Sequence, residues 1–116
     1  MPLIALLSAA MLPTGELRAQ EGVEFFEKKI RPVLIEHCYA CHSAEAKKAN
    51  KLKGSLLLDT PAGLAKGGDS GPSIVPGKPL ESLLWKSLGH AGDIKMPPKG
   101  KLPDAVIADF ERWIKI

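Results

Sequence analysis

Both cysteines of the chain stand in Cys38-Tyr39-Ala40-Cys41, and a histidine, His42, directly follows the second. At this spacing two thiols can each add across one vinyl group of a porphyrin, and the imidazole then falls beneath the iron. The motif therefore reads as the attachment site of a c-type haem, with Cys38 and Cys41 binding the cofactor and His42 as its proximal metal ligand. Three other uses of the same residues fit less well. A redox-active thiol pair belongs at a helix start after a strand, and no strand pattern precedes Cys38. A zinc site needs four ligands, but the chain has no second Cys-x-x-Cys and no His-x-x-x-His. A disulfide across two residues would close too short a loop to stabilise much.

Haem iron with one histidine needs a sixth ligand to pass electrons without binding small molecules, and a thioether suits the ferrous state. Met96 is the only methionine after residue 11. Pro97 and Pro98 stiffen the backbone after it, so its sulfur can be presented to a metal at low entropic cost. The competing reading is a packing methionine. His90, six residues earlier in a His-Ala-Gly-Asp run, is the alternative ligand. His37 precedes Cys38 on the same helical turn and would have to bend back over its own tether, so it reads as a surface or packing residue.

The elements that position these groups follow from periodicity. Phe26, Ile30, Leu34 and Cys38 recur every four residues, with Val23 and Val33 alongside, and predict a helix leading into the motif. Pro32 lies inside it and predicts a kink or restart. Ser43 to Lys53, with Lys47, Lys48, Lys51 and Lys53, reads as a solvated loop, or as a basic rim that steers an acidic redox partner. Leu56-Leu57-Leu58 is an apolar run of unassigned conformation. Thr60-Pro61 reads as a cap and first helical residue, with Gly67 ending that helix. Gly67 to Pro72 lacks the order of a phosphate loop and predicts close backbone approach to something flat. After a turn at residues 76–79, Leu80, Leu83, Leu84 and Leu88 mark a helix closed by Gly89. Val106, Ile107, Phe110, Trp113 and Ile114 share one face of a last helix beginning at Pro103-Asp104.

Composition bounds the rest. The 116 residues suffice for one domain, and 45% hydrophobic with 25% charged residues is ordinary for a globular protein. A net charge of +3, from 16 basic and 13 acidic residues, is too mild to argue for nucleic acid, and no aromatics interleave the lysines. Residues 1–19 read as a signal peptide: Leu3 to Leu12 is almost wholly apolar, Pro13 and Gly15 break the run, and Ala19 is a small residue at the cut. No Lys or Arg precedes that run, and Leu17 is bulkier than the usual residue two before a cut. About 11 apolar residues are too few to cross a bilayer, which takes about 20, so no membrane span is expected in the mature chain. Residues 20–116 then form the domain, of under about 100 residues, a size at which a haem would supply missing core. Export to the periplasm or beyond fits covalent haem attachment.

Three segments, FFEKKIRPVLIEHCYACHS, GGDSGPSIVPGKPLESLLWKSL and KMPPKGKLPDAVIADFERWI, resemble the planctomycete-type cytochrome c domain, a branch of the monohaem cytochrome c fold. The resemblance covers nearly all of residues 20–116. It implies an all-α domain whose N- and C-terminal helices pack crosswise against each other and the haem. It also implies one haem c on Cys38 and Cys41, with iron ligated by His42 and Met96, and one-electron transfer to a redox partner protein. In that family the domain usually opens a longer protein, so the chain reads either as a free-standing carrier or as one module of a larger oxidoreductase. The other functions weighed are a haem peroxidase or ligand sensor with a displaceable Met96, and a zinc or redox-thiol module without haem.

Overall fold

The computed structural model describes residues 13–116. The apolar run of the expected signal peptide lies outside them. The described residues form six α-helices: α1 (Thr14–Phe25), α2 (Arg31–His37), α3 (Ala44–Lys48), α4 (Pro61–Lys66), α5 (Leu83–Leu88) and α6 (Asp104–Lys115). Among them there is no strand, and only an isolated bridge pairs Gly68 with Gly71, so the class is all-α.

The helix that leads into the cysteine motif is continuous, but it is relieved where Pro32 requires it. Proline has no N–H, and its ring crowds the carbonyl four residues back. Between α1 and α2 the chain widens into a π-turn at Phe26–Ile30, and the Arg31 N–H bonds to the Phe26 carbonyl, five residues earlier. The π-turn faces α6. Phe26 meets Trp113 with ring centroids 5.3 Å apart, and Trp113 stands edge-on to Phe110 at 6.2 Å. Ile30, Leu34 and Phe110 are wholly buried, and with Leu58, Leu84, Leu88, Leu102 and Ile107 they form one core.

Several expectations are corrected here. Val23 is exposed, because the terminal helices meet one turn later, at the π-turn. Residues 43–53 are not all loop. Ser43 accepts the Ala46 N–H and starts α3, whose Ala46 is buried while Lys47 and Lys48 stay in solvent. Leu80 is exposed as well. Pro79 opens a single 3-10 turn, and Ser82 leaves helical geometry to bond the Lys78 and Val75 carbonyls, which rotates Leu80 away from the face of Leu84 and Leu88. Trp113 is half-buried, and the centre of that contact is Phe110. The capping residues of α4 are as expected: Thr60 Oγ1 accepts the Gly63 N–H at 3.0 Å, and Gly67 ends the helix at φ +73°.

Candidate haem site

Cys38 caps the end of α2, and the motif folds back on itself immediately. The N–H groups of Cys41 and His42 both bond to the Cys38 carbonyl, at 3.2 and 3.0 Å. Ser43 ties the next turn down, its hydroxyl donating to the Tyr39 carbonyl at 2.7 Å while accepting from Ala46. Residues 53–58 then run alongside. The Lys53 N–H bonds to the Cys41 carbonyl and the Leu58 N–H to the His42 carbonyl, each at 3.0 Å.

His42 is buried, and its Nδ1 lies 3.2 Å from the Leu56 carbonyl. A carbonyl can only accept, so Nδ1 carries the hydrogen and Nε2 is left with the free lone pair a metal ligand requires. A backbone acceptor behind a ligating imidazole also fixes the ring and raises its basicity.

Beside the motif lies an apolar cleft that is partly open to solvent. Cys38, Cys41 and His42 line one part of it, Leu83, Leu84, Ser87 and Leu88 of α5 another, and Met96 with Pro97 and Pro98 a third. The four residues singled out in the sequence therefore line one cleft. Both thiols are unpaired, and burial pushes the Cys38 thiol up to about 11. Two thiols, an imidazole with a free nitrogen and a thioether around an apolar cleft are the donor set of a c-type haem, and the residues fit that group. A zinc module fits poorly, since among the described residues no three His, Cys, Asp or Glu side chains gather as a metal site.

The other histidines separate. His90 does not line the cleft; its Nε2 lies 3.0 Å from the Met96 carbonyl. His37, read from sequence as a surface or packing residue, is exposed with its Nε2 3.7 Å from the Glu36 carboxylate, yet it also lines the cleft. The glycine-rich turn borders the cleft too, but its close approach is to backbone. A Cβ on Gly67 would collide with the Gly71 carbonyl, and one on Gly68 with that of Gly54. Leu56 carries no sequence signal, because it acts through its carbonyl, which any residue would supply.

No curated protein and no solved structure matches the chain. The family model of planctomycete cytochrome C matches residues 38–100, from the first cysteine past the Met96-Pro97-Pro98 strap, which is over half of the chain. That span takes in every residue the cleft draws from Cys38 onward, and the chain belongs to the planctomycete cytochrome c family.

Proposed function

We propose that the chain is an exported one-electron carrier, or the electron-transfer module of a larger protein, with His42 and Met96 as axial ligands of a haem fixed by Cys38 and Cys41. When bound, the haem would supply a one-electron couple. The observation that carries the reading is the shared cavity. Two unpaired thiols, a buried imidazole held by Leu56 and a thioether from a distant segment all border one apolar cleft.

Each residue has a distinct task. Cys38 and Cys41, joined through a closed turn, hold the cofactor independently of its oxidation state. His42 is kept in the Nδ1–H tautomer, with its ring direction set from behind. Met96, at the same cleft, would offer the iron a soft donor, and the leucines of α5 would give the haem an apolar surface to pack on. Lys53 is exposed at the cleft, and with the exposed Lys47, Lys48 and Lys51 it would offer positive charge to an acidic redox partner. No helix among the described residues is long and apolar enough to cross a membrane.

Attachment is tested by haem staining after denaturing electrophoresis of protein matured in an exporting host. The unmodified chain retains haem, and replacing both Cys38 and Cys41 by Ala abolishes retention. A stained band from the double variant would overturn the assignment.

A further inference from the structure

The segment that carries Met96 leaves α5 at Gly89 and returns to the cleft seven residues later, and three hydrogen bonds close it into a clasp. The Met96 N–H bonds to the Ser87 carbonyl at 3.0 Å, and the His90 N–H to the same carbonyl at 3.3 Å. His90 Nε2 reaches across to the Met96 carbonyl at 3.0 Å. That acceptor requires the hydrogen on Nε2, so in this geometry Nε2 has no lone pair to offer a metal. Met96 is thus held at both polar groups of its backbone, one by the end of α5 and one by an imidazole.

The backbone of His90 gives a second indication. It sits at φ +56°, in the left-handed region that glycine occupies most easily. Gly89 and Gly92 flank it, and Gly89 itself is right-handed at φ −70°. A residue bearing a Cβ therefore stands at the position where the turn would most readily take glycine. Strain of this kind, which Asn50 and Ser55 share, persists where surrounding contacts hold it, and at His90 the bond to the Met96 carbonyl is one such contact.

We propose that His90 is the positioning residue of the sixth ligand: by bonding the Met96 carbonyl it holds the thioether segment closed over the haem. The inference rests on the His42/Met96 reading above. Met96 exchanges between an iron-bound and a released arrangement, and a hydrogen bond made only in the closed loop favours the bound one. Its loss raises the open population about fivefold to tenfold, the factor equivalent to about 1–1.4 kcal/mol.

The test compares His90→Ala, His90→Gly and His90→Gln with Met96→Ala in the haem-loaded protein. The readouts are the sulfur-to-iron band of the ferric form and the rate of carbon monoxide binding to the ferrous form. His90→Ala and His90→Gly bind carbon monoxide about fivefold to tenfold faster, in line with the lost hydrogen bond, and their band weakens. His90→Gln, whose amide can donate from a similar reach, restores most of both. His90→Gly also relieves the backbone, so its thermal midpoint does not fall below that of His90→Ala, which separates positioning from general destabilisation. Unchanged band and binding rate in both His90→Ala and His90→Gly, with Met96→Ala losing the band, would overturn the clasp alone. A band that survives Met96→Ala would overturn the ligand reading and the clasp with it. Loss of low-spin character in all three His90 variants, with Met96→Ala unaffected, would make His90 the ligand and overturn the positioning role.

Discussion

His42 and Leu56 are joined through the imidazole Nδ1–H and a backbone carbonyl at 3.2 Å, while two residues on the Leu58 N–H returns a bond to the His42 carbonyl at 3.0 Å. The ligand candidate is thus gripped at ring and backbone by one short segment. Its ring proton is buried and bonded, so it exchanges slowly. In the diamagnetic ferrous protein a protected ring N–H resonance assigned to His42 is expected by NMR; rapid loss of that signal in deuterated water would show the contact to be open.

Ser43 links the motif to α3 through two bonds of one hydroxyl, to the Tyr39 carbonyl and from the Ala46 N–H. Ser43→Ala removes a helix cap and leaves a half-buried carbonyl less satisfied. A loss of about 1–2 kcal/mol is expected in denaturant unfolding. An unchanged midpoint would mean that water replaces both bonds.

The π-turn and α6 meet through Phe26, Trp113 and Phe110. Phe110 is wholly buried, so Phe110→Ala should cost about 3–5 kcal/mol, comparable to the whole stability of a small domain. Trp113→Ala, at a half-buried position, should cost less. The order of the two thermal midpoints checks this, and the reverse order would move the centre of the interface to Trp113.

Cys38 makes a pH-dependent prediction for folded chain lacking haem. Burial favours the neutral thiol and pushes it up to about 11. The folded form therefore holds a proton that the unfolded form has already released, and the stability tied to it is present below the ordinary thiol range and lost as pH rises through about 11. Alkylation of Cys38 at pH 8 should be slow and should accelerate steeply toward pH 11. Fast alkylation at pH 8 would show that the thiol is solvated.

What the sequence disclosed depended on how local the cause was. The Cys-x-x-Cys-His spacing, the Thr60-Pro61 start and Gly67 end of α4, and the face of Ile107, Phe110 and Ile114 are short-range patterns that sequence displays directly. The π-turn could be anticipated only as a disturbance near Pro32, because which residue widens depends on packing against α6. Helix α3 was hidden among lysines, since its support is one cap and one buried alanine. Leu80 was misjudged because its spacing continues that of Leu84 and Leu88 across a break at Ser82. The Leu56 carbonyl could not have been found, and the His90 contact depends on a left-handed turn that falls one residue past the glycine expected to make it.

The account turns on Met96 as the sixth ligand, and the visible spectrum of the haem-loaded protein tests it most directly. Unmodified ferric protein should show the weak long-wavelength sulfur-to-iron band, and the ferrous form should resist carbon monoxide. Met96→Ala should abolish the band, open the site to carbon monoxide, leave the haem covalently attached and lower the reduction potential, by about 59 mV for each tenfold loss of ferrous preference. Rapid carbon monoxide binding by the unmodified ferrous protein, or a band that survives in Met96→Ala, would contradict it.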